Sequence, residues 1–328
     1  MKFIKPIPTT LNYLLLLTTV FFTQFSFSET VRLSSPVPPS HIFAKVSDHF
    51  SDLLKEKSEG RYKVKTYHFG KLGKDAENIR LMQTGAVQFA VVPAGYLANR
   101  DASFNGWFLP YLFESVSEAG AAATLPAARE MLTTLEGQGL VGLGYIMTGM
   151  RQVLSVDKIT SYKELENKKI RAFPGQVFND WWLANGAAAT ALPLPDIAPS
   201  LTTRLLDAVD VDLDLVVALK LYQQAPNILL TQHMAFPGVM LVSSKWWNKQ
   251  SAEDKQMIQS AFSESEAWGV AQQQEADKEN LVLLESAGVS ISTLKGDDGK
   301  GQANTVVKKY TKLNPLTESF YQQALQAK

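Results

Sequence analysis

The chain has 328 residues, of which 45% are hydrophobic and 10% aromatic, enough to pack two domains around separate cores. Its 32 basic and 32 acidic residues give no net charge, so the charge balance does not favour a nucleic-acid partner. The absence of cysteine excludes disulfides, thiolate metal sites and a cysteine nucleophile.

Residues 1–28 differ in kind from the rest of the chain. They contain Lys2 and Lys5 and no acidic residue, then the apolar residues 11–22, then a small-residue segment that ends at Ser28. This is the pattern of a secretory signal peptide, and its apolar run is roughly half of the ~20 residues that a membrane-spanning helix needs. We expect cleavage after Ser28 and export of the mature chain.

After the signal segment, short apolar runs alternate with longer segments of helical period, which is typical of an α/β fold. Residues 61–69 alternate strictly and predict a strand with one solvent-facing side. Further strands are expected at 31–34, 87–92, 140–147, 170–173, 206–211, 228–230 and 239–242, and helices at 41–59, 75–83 and 116–135.

A long helix is predicted near the end of the chain. Ser251 and Asp254 have the spacing of a capping box, and helix-favouring residues then continue to Ser286, with Gly288 as a stop. Such a helix would be about 50 Å long and could run along both domains. Two helices with a bend near Gly269 are the alternative. Since no linker rich in Pro, Gly or Ser separates two halves, the domains should share the chain through crossing segments.

Enzyme motifs are not recognisable in the sequence. It contains no phosphate-binding glycine-rich loop and no nucleophile elbow. Its histidines are too scattered along the sequence to form a recognisable metal site, and surface or core positions are favoured for them: His41, His49, His68 and His233. We therefore expect neither a metal nor a cofactor.

One cluster of carboxylates is present, formed by Asp207, Asp210, Asp212 and Asp214. If the segment is a strand throughout, the last three share a face and Asp207 does not. A structural or solvated role is favoured for these residues. Catalysis and a contact to a cation or ligand are the alternatives.

Several short motifs follow one another in a specific order. They are the segment 55–61 (KEKSEGR), residues 70–73 (GKLG), 85–89 (GAVQF), 108–113 (FLPYLF), 149–151 (GMR), 169–171 (KIR) and 185–187 (NGA). Their order and spacing resemble those of the solute-binding subunits of tripartite ATP-independent periplasmic (TRAP) transporters, of the C4-dicarboxylate-binding type. The resemblance covers nearly the whole mature chain. It implies a periplasmic-binding-protein-like α/β fold with two mixed-sheet domains around a ligand cleft and a long connecting helix.

The resemblance also implies a domain organisation and a function. Domain one is expected at 29–148 with 238–276, and domain two at 149–237 with 277–328. The function implied is that of a periplasmic, monomeric protein, not an enzyme, that captures a small organic carboxylate and delivers it to the membrane subunits of a TRAP transporter. A periplasmic enzyme that uses the carboxylates of residues 207–214, and a ligand-binding sensor subunit, are the alternatives.

Two arginines match arginines that this family keeps 20 residues apart. Arg171 follows Ile170 near the expected end of a strand, where α/β proteins bind ligands, and a guanidinium can make two parallel hydrogen bonds to a carboxylate. From the residues alone a surface position is favoured, whereas the resemblance implies a salt bridge from Arg171 to the ligand. Arg151 is expected either to contact the ligand or to clamp the two domains together.

Further ligand-binding positions are carried over from the resemblance: Ser35, Asp75, Pro93, Tyr96, Leu194 and Val211. Leu194 and Val211 stand where sialic-acid-binding members have an aromatic residue and a polar amide, so a compact or partly apolar acid is expected rather than a polyhydroxylated one. Four large aromatic residues could form an apolar wall, although core positions are favoured: Trp107, Phe178, Trp181 and Trp182.

Overall fold

The computed structural model describes residues 28–296 and 298–328. The expected signal peptide therefore lies outside the described residues, apart from Ser28. The strands are, in chain order, β1 (Glu29–Ser34), β2 (Tyr62–Tyr67), β3 (Phe89–Pro93), β4 (Leu140–Met147), β5 (Gln152–Ser155), β6 (Lys169–Ala172), β7 (Ala188–Ala191), β8 (Ala208–Val211), β9 (Asn227–Leu230), β10 (Pro237–Ser243) and β11 (Ser290–Thr293).

The helices are, in chain order, α1 (Ile42–Lys57), α2 (Asp75–Thr84), α3 (Ala94–Leu97), α4 (Val116–Ala122), α5 (Pro126–Thr133), α6 (Gln176–Ala184), α7 (Ile197–Thr202), α8 (Leu213–Ala218), α9 (Ser244–Trp247), α10 (Ala252–Ser286), α11 (Lys300–Leu313) and α12 (Pro315–Gln326). The expected helix at 116–135 is two helices, α4 and α5. Pro126 begins the second, because its ring fixes a helical φ but cannot continue a helix from the preceding turn.

The strands form two mixed sheets. Sheet one has the order β2-β1-β3-β10-β4, with β1 parallel to β2 and β3, and β10 antiparallel to β3 and β4. Sheet two has the order β11-β9-β5-β8-β6-β7, in which β6 is parallel to β7 and β8, while β5 is antiparallel to its neighbours β8 and β9. The expected architecture of two mixed-sheet α/β units is confirmed.

The chain passes between the sheets three times, after β4, after β9 and along α10. All sheet-one strands thus come from residues 29–147 and 237–243, and all sheet-two strands from 152–230 and 290–293. The C-terminal α12 packs against α5 and the turn at 102–108, with the Phe320 ring 4.6 Å from that of Trp107. The exact domain boundaries stay a prediction.

Helix α10 is unbroken over 35 residues, about 52 Å, and it contacts α1, α4, β4 and α8. The expected long helix is therefore confirmed, and the alternative of two helices with a bend near Gly269 is not. Gly269 instead allows α1 to approach closely, because a Cβ at this position would lie 2.6 Å from Cγ2 of Val46. Within the described residues, no helix has both the length and the apolar character needed to cross a membrane.

Ser251 is confirmed as the N-cap of α10, since its hydroxyl accepts a hydrogen bond from the backbone N–H of Asp254 at 3.1 Å. We expect Ser251→Ala to lower the free energy of unfolding by about 1 kcal/mol, because that N–H loses its partner. Urea unfolding measures the change, and Ser251→Asp, which can still accept the bond, should retain most of the wild-type stability. Equal losses in both variants would contradict the capping role.

Candidate ligand-binding site

A cavity of about 470 Å³ lies between the two sheets. One wall is formed by the segments that follow β1, β2 and β3, at residues 36–43, 69–76 and 93–96. The other is formed by the segments that follow β6, β7 and β8, at 171–174, 191–195 and 212–215. Strands β1–β3 are mutually parallel, and so are β6–β8, so the carboxyl ends of both groups face one cleft, the usual place for a ligand in such folds.

Arg171 lines this cavity and is only 3% exposed. Its Nε donates a hydrogen bond to the backbone carbonyl of Leu192 at 3.1 Å, and no carboxylate of the described chain forms an ion pair with it. Burial, followed by the nearby charge of Arg151, lowers its pKa to about 10. Arg171 is therefore a buried cation without an anionic partner, beside a space large enough for a small molecule.

Arg151 also lines the cavity, but its nitrogen atoms already have partners. Nε donates to Oδ1 of Asp210 at 2.6 Å, Nη1 donates to Oδ2 of Asp212 at 3.2 Å, and Nη2 donates to the Asp210 carbonyl. The Phe236 ring lies 4.6 Å from the guanidinium carbon. These partners lie in the same sheet-two unit as Arg151, so the contacts give Arg151 a structural role within that unit and do not clamp the two domains together.

The carboxylate cluster is also engaged in structural contacts. Asp210 accepts a hydrogen bond from the Trp182 indole at 2.9 Å, and although burial acts to raise its pKa, Arg151 and the other donors hold the pKa below its usual range. Asp212 caps α8 through the backbone N–H of Leu215. The expectation that residues 210, 212 and 214 share one strand face is wrong, because β8 ends at residue 211 and α8 begins at 213.

Asp214 connects three elements. It lies in α8, accepts a hydrogen bond from the backbone N–H of Ile42 at the start of α1, and accepts another from Asn280 of α10. Asp207 is separate, since it accepts a hydrogen bond from the backbone N–H of Lys169 on β6. Within residues 28–296 and 298–328, no group of three or more His, Asp and Glu side chains is placed to hold a metal ion.

Asp75 is the first residue of α2 and lines the cavity. Its Oδ1 atom is buried and has no hydrogen-bond partner in the described chain, and burial raises the pKa of its carboxyl group to about 6. The preceding Lys74 is exposed and forms no ion pair with Asp75 within that same part of the chain. Asp75 is thus a second cavity-facing group without a partner, of opposite charge to Arg171 when ionised.

His41 also lines the cavity, a position that no sequence pattern predicted. Its Nδ1 accepts a hydrogen bond from the backbone N–H of Phe43 at 3.1 Å, which caps α1 and leaves the proton on Nε2. That Nε2 lies 3.5 Å from Oδ1 of Asp212, too far and too poorly oriented for a hydrogen bond. Only the folding of α1 against α8 brings His41 to this position.

The other expected positions divide into two groups. Pro93, Tyr96 and Leu194 line the cavity together with Arg151, Arg171 and Asp75. Ser35, directly after β1, and Val211, at the end of β8, are fully buried and are not among the residues that line the cavity.

The large aromatic residues considered for the wall are core residues without any exposure: Trp107, Phe178, Trp181 and Trp182. The rings that do line the cavity belong to Phe43, Phe69, Phe173 and Phe236, in addition to Tyr96. Residue spacing along the sequence cannot distinguish the core rings from the cavity rings, because the cavity rings come from five separate segments of the chain.

Residues 33–314 match the model of the family DctP, described as bacterial extracellular solute-binding protein, family 7. The chain belongs to this family. The expected relationship to TRAP solute-binding proteins is thereby confirmed. The family consists of solute-binding proteins, and the named relatives reported below are binding proteins as well.

Two characterised relatives show how far the sequence similarity extends. The ectoine-binding periplasmic protein TeaA of Halomonas elongata is 26% identical, over 79% of this chain and 77% of its own. The C4-dicarboxylate-binding periplasmic protein DctP of Shewanella loihica is 22% identical, over 83% of this chain and 80% of its own. Both alignments span most of the chain.

Solved structures of family members have the same fold. The sugar acid binding protein DctPAm of Advenella mimigardefordensis, in complex with galactonate, superposes with a TM-score of 0.86 at 24% identity, covering 92% of this chain and 99% of its own. A TRAP periplasmic solute-binding protein of Chromohalobacter salexigens, with bound D-glucuronate, superposes with a TM-score of 0.85 at 22% identity, covering 91% and 100%.

Proposed function

We propose that this chain is a periplasmic solute-binding protein that captures a small organic carboxylate and delivers it to the membrane subunits of a TRAP transporter. The observation that carries the proposal is Arg171, a buried guanidinium that forms no ion pair within the described residues and lies in a cleft between two α/β units. A ligand carboxylate would supply the missing charge and accept two parallel hydrogen bonds. Family membership supports delivery to membrane subunits.

The proposal assigns binding and not catalysis to the cleft. Asp210 and Asp212 already neutralise Arg151 within the sheet-two unit, and Asp214 connects α8 with α1 and α10, so structural contacts engage all three carboxylates. The ligand-binding residues that we propose are Arg171, Asp75, Pro93, Tyr96 and Leu194, with Arg151 in a supporting role. In this proposal domain one comprises 29–148 and 238–276, domain two comprises 149–237 and 277–328, and the two close over the ligand.

A thermal-shift screen of organic carboxylates tests the proposal directly. A true ligand at 100 times its dissociation constant adds about 2.7 kcal/mol to the free energy of unfolding, which is a large shift in melting temperature. Hits should be confirmed by calorimetric titration. The matched control is the uncharged amide or alcohol of each hit, which cannot form the ion pair with Arg171. Equal binding of acid and uncharged analogue would contradict the proposal.

We also propose that the chain is exported and processed. N-terminal sequencing of periplasmic protein is expected to begin at Glu29 or within a few residues of it, because residues 1–28 have the charge and apolar pattern of a signal peptide. Replacing residues 14–17 (LLLL) with a charged segment should keep the precursor in the cytoplasm. Recovery of uncleaved protein in the membrane fraction would contradict this prediction.

A further inference from the structure

The walls of the cavity are apolar on both sides. Sheet one contributes Val37, Phe43 and Phe69, and sheet two contributes Phe173 and Leu194. Phe69 is 48% exposed although it lines the cavity, so its ring is available at the opening. A polyhydroxylated acid has a hydroxyl group on nearly every carbon, and most of those groups would lose their water without gaining a partner here. The cavity therefore favours a ligand with a compact apolar body.

Apart from the exposed Lys74, two charged groups that line the cavity have no ion-pair partner within the described residues. Arg151 is neutralised by Asp210 and Asp212, which leaves the Arg171 guanidinium and the Asp75 carboxyl group facing the same space. Arg171 lies near the end of β6 in sheet two and Asp75 begins α2 beside sheet one, so the two come from opposite walls. One molecule with two opposite charges could contact both walls.

We infer that the ligand is a zwitterion with a compact apolar body, whose carboxylate pairs with Arg171 and whose cationic nitrogen pairs with Asp75. The inference rests on the proposed function, since it assumes the carboxylate contact. Aromatic rings in the lining also attract a cation through their faces, and Phe69 and Phe173 lie on opposite sides of the cleft. Closure over such a ligand would neutralise one buried charge on each wall.

A set of six-membered-ring compounds tests the inference by calorimetric titration of the mature chain. Cyclohexanecarboxylate has the acid alone, quinate adds hydroxyl groups, and piperidine has the cation alone. Pipecolate, nipecotate and isonipecotate combine both charges at three different separations. We expect the best of the three zwitterions to bind at least about tenfold more tightly than cyclohexanecarboxylate, quinate and piperidine.

The sign of the pH dependence is a second readout. A ligand cation stabilises ionised Asp75, whose pKa without ligand is raised to about 6, so zwitterion affinity should increase as the pH rises from about 5 to about 7. A ligand with a carboxylate and no cation is repelled by ionised Asp75, so its affinity should decrease over the same pH range. The other titratable groups lining the cavity are His41, Lys74, Tyr96, Arg151, Arg171 and Asp212.

Single substitutions distinguish the contribution of Asp75 to the pH dependence from that of the other titratable groups. Asp75→Asn should remove the preference for the zwitterion and flatten the pH dependence, whereas Asp52→Asn, on the exposed face of α1, should change neither. Because histidine as a class also titrates in this range, the profile should be repeated in His41→Asn, which can still cap α1. The increase of zwitterion affinity with pH should persist in that variant.

Each outcome has a definite meaning. A panel in which no zwitterion binds more tightly than cyclohexanecarboxylate or quinate overturns the inference and leaves the carboxylate proposal intact. Binding that is strongest for a zwitterion but unchanged in Asp75→Asn also overturns it, because the cation then lies elsewhere. If piperidine binds as tightly as the zwitterions, and Arg171→Ala has no effect on any of them, the proposed function itself fails.

Discussion

Replacing Arg171 with alanine is expected to lower ligand affinity about a thousandfold or more, at ~1.4 kcal/mol per tenfold. The side chain is 3% exposed and forms no ion pair within the described chain, so its loss removes the one free guanidinium available to a ligand carboxylate in the cavity. The carboxylate would then be desolvated without a charged partner. Arg171→Lys should also bind the ligand much more weakly than the wild type, because an ammonium group cannot make the two parallel hydrogen bonds of a guanidinium.

The measurement is ligand titration of the folded variants beside the wild type. Both variants should keep a melting temperature near that of the ligand-free wild type, because Arg171 forms no ion pair with a carboxylate in the described part of the chain. Arg80→Ala, at an exposed position on α2, is the matched control and should bind normally. Undiminished affinity in Arg171→Ala would mean that the ligand carboxylate does not bind at this residue.

Arg151→Ala should have its largest effect on stability, with a loss of about 3–5 kcal/mol in the free energy of unfolding. Removing this guanidinium leaves Asp210 and Asp212, 0% and 1% exposed, as buried carboxylates without their cation. Urea unfolding measures the loss. Arg151→Lys should be less damaging, and its effect on affinity should remain well below that of removing Arg171.

Arg204 provides the comparison for Arg151. It pairs with Asp157 at 2.9 Å, but both side chains are more than half exposed, and an exposed pair of this kind contributes about 0–1 kcal/mol. Arg204→Ala should therefore leave the unfolding curve nearly unchanged. If Arg151→Ala were as stable as Arg204→Ala, the ion pairs of Arg151 with residues 210 and 212 would not stabilise the fold.

Much of the fold could be predicted from the sequence where the pattern is long and regular. Strand β4 was expected at its observed bounds, and the single amphipathic run at 41–59 contains α1. Three short strands were not predicted: β5, β7 and β11. β5 is buried at every position and has no alternation, whereas β7 is rich in alanine and mostly exposed, so neither has the pattern of a half-buried strand.

The site was less predictable than the fold, because it depends on contacts between distant segments. Arg171 and Asp75 could be proposed from motif positions, and the structure places both in the cavity. The partners of Arg151 could not be proposed, because they depend on the antiparallel register of β5 and β8, which sets Val153 opposite Asp210. Nothing in the spacing along the chain indicates that register.

The position of β10 in sheet one has a consequence for how the exported chain reaches its native state. β10 lies between β3 and β4, yet it is made after every strand of sheet two except β11. Until residues 237–243 are available for pairing, the facing edges of β3 and β4 remain unpaired, and both strands are largely buried and apolar. Unpaired edges of this kind aggregate readily, and such distant pairings form slowly. Sheet one can therefore be completed only after about three quarters of the chain has been made.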